Sequence, residues 1–479
     1  DRGGSCLAGT LSSRVYLKQA NDAAQNDLER YAEPLAAFAM LTRGTYPKDE
    51  LRYAWQLLMQ NHPHDSICGC SVDEVHDEMM SRFRRVRQVA AVCCERALDS
   101  LTGRHRTQGA VALPCDLYVI NTLNWPRTDP VHAIIEVPLG APSRGNPQRS
   151  EAAVLRGLRM VGPSGEDVHY EVIANETLVT TVSNPLELPL DQWVQRITLQ
   201  FVATDVEAGG YAVYRLEPAD GWGGPHASIM EPTALGACDR LTLDDVGDVG
   251  DEYLFRSPLN DVRMQFRPET GAHWAEEASA VRRTSLLRKV LQLPAHTEPS
   301  GRSAEMANCP VTVRVTSWKG VPRREVRIEV DNSATNHRLR ALFETGRGSC
   351  VVAGGQFDVI ERAPLVQETS EGASPFFPMT LWVDAETDAG SPNLTVIAPG
   401  LHEYEPYRAF DGTVGQIGIT LLRCVGQLSA RGDGPGISTP GAQCPGKHVF
   451  DLAVCEHAGD WQTDEVWRQA HQFACPLVT

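Results

Sequence analysis

The stretch YAWQLLMQNHPHDSICGCSVDEVHDEMMSRF, residues 53–83, decides how the first part of this chain is read. Upstream, Leu51, Trp55, Leu58 and Met59 recur at spacings of three and four, as one face of a helix does. Pro63 stops that pattern. Downstream, Ser71 followed by Glu74 has the spacing of a capping box, so a second helix is expected to begin there. Its buried stripe would be Val75, Met79, Phe83, Val86 and Ala90, with Arg82, Arg84, Arg85 and Arg87 around it. His64 and Asp65 therefore fall in a tight turn held at both ends by packed helices, the kind of support a coordinating side chain needs.

Working outward, Leu17, Ala20, Asn21, Ala24, Leu28, Tyr31 and Leu35 trace one face of an earlier helix. Three antiparallel helices ending near Leu101 would bury these stripes against one another. From Ala110 the pattern changes. LYVINTL, VHAIIEV, WVQRITLQFV, YAVYRL, VTVRVTSW, REVRIEVDN and LTVIAP are runs of strand length separated by Pro, Gly and Asn, which predicts β-sandwiches to the end of the chain. Residues 140–151, 219–232 and 429–443 break the pattern as polar or Gly/Pro-rich connections. Strand signal is poor over 219–237, and no period of 20 to 50 residues repeats.

Composition narrows the function. A formal charge of −17 argues against nucleic-acid binding, which needs a basic patch. No run of eighteen apolar residues is present to span a membrane as a helix. Thirteen cysteines, odd in number and irregularly spaced, fit a reducing cytoplasm better than a disulfide framework. The sequons at Asn175 and Asn393 would matter only in a secretory pathway, and read best as chance.

On spacing alone, a histidine between two helices is more often a structural or solvated residue than a metal ligand. His62, His64 and His76 form no closed zinc pattern, and Cys68 with Cys70 read as two small buried thiols. In GDVGDEY, residues 247–253, the acids Asp248, Asp251 and Glu252 read as a hydrogen-bonded turn ahead of a place near a sugar cleft. Tyr404 in LHEYE offers a flat ring that either stacks on a sugar or fills a core. His448 and Asp331–Asn332 are assigned to loops.

The run His64-Asp65-Ser66-Ile67-Cys68-Gly69 resembles the hallmark of the middle domain of glycoside hydrolase family 38 α-mannosidases: a His-Asp pair, then a small residue, an apolar residue and a Gly. Other blocks resemble landmarks of the family's bacterial branch in the same order: GTLSSRVYLKQAN (9–21), INTLNWPR (120–127), GDVGDEY, DNSATNHRLRALFETG (331–346), LHEYE (401–405), TLLRCVG (420–426) and TPGAQCPGKHVF (439–450). The resemblance runs from about residue 5 to the C-terminus. It implies a middle three-helix domain over 1–105, a first β-sandwich over 106–218 and a truncated larger one over 219–479, in the manner of a galactose-mutarotase-like supersandwich.

It further implies a zinc-dependent retaining α-mannosidase whose early His-x-Asp ligands, Asp nucleophile and Asp acid/base belong to a catalytic domain ahead of Asp1. The chain is then a fragment, cut at both ends, inactive by itself. His64 would be the fourth protein ligand of the zinc, and Asp65 would bind a sugar hydroxyl or orient its neighbour. Mannosides or oligosaccharides are the implied substrates, and a homo-oligomer is left open. A narrower mannosylglycerate-type hydrolase shares this architecture, and a non-catalytic carbohydrate-binding β-sandwich with a helical prefix is the reading from another class.

Overall fold

A computed structural model describes residues 7–43, 45–103, 110–182, 188–223, 229–230, 238, 241–267, 275–348, 350–362, 376–387, 392–408, 414–430 and 434–479. The helical stripes fold as their spacing predicts, except that Met59 faces solvent. Helix α1 (Val15–Asn26) runs through a π-helical turn (Asp27–Ala32) into α2 (Glu33–Arg43), making one long rod. Helices α3 (Lys48–Met59) and α5 (Asp73–Thr102) pack along it, around Leu17, Leu28, Leu51, Leu58, Met79, Phe83, Val86 and Ala90. Each large apolar side chain so buried contributes about 1.5–3 kcal/mol.

The His64 segment is not an irregular turn. It forms a five-residue helix of its own, α4 (His64–Cys68), opened by Pro63 and closed by Gly69 at φ +77°. The expected capping box is also absent: α5 starts at Asp73 with Val72 as its N-cap and no side-chain cap. The Ser71 N–H is taken instead by His76 Nε2 at 3.2 Å.

Beyond the helices the chain is antiparallel β. Two three-stranded sheets, one of Cys115–Asn121, Gly210–Pro218 and Leu158–Val161, the other of Arg127–Pro138, Leu190–Val206 and Tyr170–Val182, enclose Val131, Ile197, Leu199, Phe201 and Tyr214. A nine-stranded and a six-stranded sheet then share a larger core that includes Val311, Val313, Ile328, Phe343, Ile419 and Phe450. Along Met306–Trp318 the inward Val311, Val313 and Val315 alternate with outward Thr312 and Arg314, the two-residue period of a strand with one face in a core.

Three local expectations are overturned. The chain does not stay β to its end: Val466–Ala474 forms helix α6, whose apolar side docks on Trp382, Ile397 and Ala453. His448 lies within the strand Gly446–His457, and Asp331–Asn332 close the strand Arg324–Asn332. Much of 219–237, where strand signal was poor, lies outside the described residues.

Candidate functional site: an exposed His-Asp turn on a buried anchor

The end of α3 is fixed first. Asn61, fully buried, donates from Nδ2 to Met79 O at 3.1 Å and accepts from Arg82 at 3.3 Å, tying the chain to α5 just before Pro63. Pro63 O accepts from the Ser66 and Ile67 N–H groups, starting α4, and the Gly69 and Cys70 N–H groups close it on Ser66 O and Asp65 O. Gly69 permits this left-handed exit, and a Cβ there would lie 3.1 Å from both Ser13 O and Lys18 Nζ.

Donors from α1 and the residues before it hold the C-terminal carbonyls of α4. Lys18 Nζ donates to Cys68 O at 2.8 Å and to Ser13 O at 2.5 Å, while Ser13 Oγ and Arg14 Nε donate to Gly69 O, each at 3.2 Å. Cations at a helix C-terminus also complement its dipole. Lys18 is only 4% exposed, and burial pulls its ammonium down to about 8. Arg14 pairs with Glu252 at 2.8 Å and with Asp73 at 2.5 Å. Burial opposes its charge, but Glu252, Tyr16 and Asp73 hold the guanidinium above its usual range; burial lifts the Glu252 carboxyl to about 7 against the pull of Arg14. Asp73 also accepts from Gly441 N–H at 2.9 Å, so this cluster joins the bundle to the β region.

On the far side of that anchor α4 faces outward. The His64 side chain is 89% exposed and Asp65 59%, with Nε2 and Oδ1 3.5 Å apart. Among the described residues no group of three His, Cys, Asp or Glu side chains comes together to hold a metal ion. The imidazole fits a metal as one ligand only, because no buried hydrogen bond occupies it and the remaining donors would have to approach from another surface. Of the two thiols, Cys70 is buried and Cys68 only partly so.

The other candidates are consumed by structure. Arg423 threads GDVGDEY, donating to Asp248 Oδ2 at 2.8 Å, Gly9 O at 3.1 Å, Leu254 O at 2.7 Å and also to Asp251 O. Asp248 and Asp251 accept backbone N–H groups from Gly250, Tyr253, Leu254, Arg256 and Ala430. The turn reading holds. Tyr404 is fully buried with its hydroxyl on Arg362 at 3.0 Å, which removes the sugar-stacking option. The sequence reading missed the anchor itself. Its one signal was Lys18, a charge directly after Leu17 at the start of an otherwise buried stripe.

With this geometry in view, the known proteins it resembles fall into one class. Residues 5–101 match the family model described as "Alpha mannosidase middle domain". A protein of Halalkalibacterium halodurans named "Putative mannosylglycerate hydrolase" is 27% identical over 525 aligned positions, covering 98% of this chain and 56% of that protein. A crystal structure of an α-mannosidase from Enterococcus faecalis V583 superposes with a TM-score of 0.87 at 26% identity, over 98% of this chain and 57% of that one. A glycosyl hydrolase family 38 protein from Enterococcus faecalis gives 0.82 at 25% identity, over 98% and 60%. The chain, a helical bundle leading into antiparallel sheets, is thus similar over 98% of its length to a region of glycoside hydrolases, and its residues 5–101 match the middle domain of the α-mannosidases among them. It spans little more than half the length of these relatives. Among the described residues no helix is long and apolar enough to cross a membrane.

Proposed function

We propose that this chain is part of a zinc-dependent retaining α-mannosidase acting on terminal α-mannosides of oligosaccharides or glycans, with His64 as one zinc ligand and Asp65 as a sugar-hydroxyl partner. The observation that carries the reading is a bare imidazole aimed outward from a short helix whose other end is locked by Lys18, Arg14 and Ser13. Such preorganisation lets a metal gain affinity without ordering the side chain first. When bound, zinc would grip sugar hydroxyls and favour the distorted ring of an oxocarbenium-like transition state. Within this chain, Asp65 would hold a hydroxyl or orient His64, and the rigid turn would keep both in place. The two carboxyl groups that a retaining mechanism sets about 5 Å apart are assigned to a separate domain, and the division at residues 106 and 219 belongs to the same reading.

The twelve free cysteines described support a reducing, cytoplasmic setting. A mannosylglycerate-type substrate is the second reading, favoured by the name of the relative that aligns with 98% of this chain. His64→Ala in the complete enzyme should lower zinc content and mannosidase activity together, the latter by about 100-fold or more. Wild-type zinc and wild-type turnover in that variant would refute the ligand assignment. The 479-residue chain alone should hold no stoichiometric zinc and leave an aryl α-mannoside intact, since a catalytic site needs three protein ligands.

A further inference from the structure

The exit of α4 carries two thiols with one glycine between them, Cys68-Gly69-Cys70. Two residues span at most about 7 Å, and Gly69, at φ +77° and ψ +22°, folds the chain between the cysteines and shortens that reach, within what a disulfide can bridge. The thiols already meet. Cys70 hydrogen-bonds to Cys68, and its Sγ lies 3.7 Å from both Asp65 O and Asp65 Oδ1. Cys68 is partly exposed, whereas Cys70 is buried.

Surroundings set Cys68 apart from other thiols of the chain. The hydrogen bond from Cys70 outweighs burial and, with the Lys18 ammonium, brings Cys68 down to about 6; the same bond and burial push Cys70 up. Cys94 and Cys350 are also partly exposed, but burial pushes each up to about 12. Cys424 and Cys444 form a second hydrogen-bonded pair, yet both are buried, out of reach of an oxidant in solution. Attack on an oxidant comes from the thiolate, so it needs both a lowered pKa and access, and Cys68 has both.

We infer that Cys68 and Cys70 form a reversible oxidation site for hydrogen peroxide, Cys68 as the attacking thiolate and Cys70 as the resolving thiol. The Cys68 sulfur attacks one peroxide oxygen, the O–O bond breaks, and the departing hydroxide takes up the proton that Cys68 gave up, leaving a sulfenic acid. The Cys70 sulfur then displaces the sulfenic oxygen, which leaves as water with the Cys70 proton. Two thiols and one peroxide thus yield one disulfide and two waters, the thiols losing the two electrons that the peroxide gains. A ring closed over one residue gains little from loop entropy and is readily reduced by a dithiol, so it marks α4 rather than staples it. Its formation withdraws the Cys70 S–H from Asp65, and the assignment stands whether or not His64 takes a metal.

The test treats the whole chain with hydrogen peroxide near neutral pH, caps the remaining thiols with iodoacetamide and reads tryptic peptides by mass spectrometry. Cleavage after Arg52 and Arg82 isolates residues 53–82, which hold these two cysteines and no others. That peptide should become lighter by two hydrogens and escape the cap at least about tenfold faster than Cys94 does, and dithiothreitol should restore both thiols. Cys70→Ser should leave Cys68 as a sulfenic acid that dimedone traps, and Cys68→Ser should leave Cys70 reduced. The proposal fails if both thiols are still capped once peroxide has oxidised Cys94, or if the disulfide found links two chains. It fails equally if Cys70 forms a sulfenic acid in the Cys68→Ser chain as fast as Cys68 does in the Cys70→Ser chain.

Discussion

HDSICG and GDVGDEY look alike on paper: short, acidic, ended or bracketed by glycine, set between regular elements. In the folded chain they are opposites. His64 and Asp65 project from the surface, with the Asp65 carboxylate touched by His64 and the Cys70 thiol, whereas Asp248, Asp251 and Glu252 are buried and held by backbone N–H groups or arginine. A carboxylate whose lone pairs are already satisfied holds a loop; only a group with unspent capacity can meet a ligand. What makes the first segment serviceable is that the second is not. Glu252 pairs with Arg14, and Arg14 grips the Gly69 carbonyl beneath α4.

The largest expected effect is on the buried side of this contrast. Arg423→Leu leaves Asp248 unpaired in a site where burial already raises its pKa, and should cost about 3–5 kcal/mol of unfolding free energy in urea titrations. A loss below ~1 kcal/mol would mean that Arg423 does not hold the loop together. Next, Lys18→Met removes the donor to Cys68 O and Ser13 O without touching His64. In the complete enzyme it should weaken zinc binding by roughly 10- to 100-fold, as loss of a ligand's support does, with the fold retained. Unchanged zinc affinity would show that the anchor does not matter to the turn.

The third effect is a pH dependence. His76 is buried with Nε2 accepting from Ser71 N–H, and burial, helped by Arg14 and Lys18, lowers its pKa from 6.5 to about 3. The unfolded chain therefore takes up this proton first. Stability from this group is complete above about pH 6.5 and falls as the pH drops toward 3, by up to ~1.4 kcal/mol per unit. His76→Gln should flatten the stability profile between pH 6.5 and 4 relative to wild type; parallel profiles would break the link.

Much of the architecture was legible because periodicity is written in apolar residues. The stripes from Leu17 to Leu35 and Met79 to Ala90, and alternation in runs such as VTVRVTSW, report which face is dry. The misses share a different cause. Ser71 and Glu74 had capping spacing, yet His76 took the Ser71 N–H, and Asp73 was drawn to Arg14 and Gly441, partners that local sequence cannot reveal. Tyr404 was ambiguous because a ring that stacks and a ring that fills a core have the same letter. Helix α6 carried Val466, Trp467, Ala470 and Phe473 at helical spacing, and was passed over inside a long β region. For the candidate site, His64 and Asp65 were found by resemblance to a family, while Lys18 and Arg14 became visible only once α1 lay under α4.

The bonds that set the bundle's orientation span nearly the whole chain. Arg14 reaches Glu252, Asp73 reaches Gly441, and Asn26 donates to Ala474 O, links of 238, 368 and 448 residues. A ribosome delivers the helices first and these partners hundreds of residues later. Until Glu252 has emerged, a nascent helical bundle carries Arg14 without its buried acid, and the closures of Asp73 on Gly441 and Asn26 on Ala474 come later still. The surface that presents His64 is thus among the first parts of this chain to be made and among the last to be aimed.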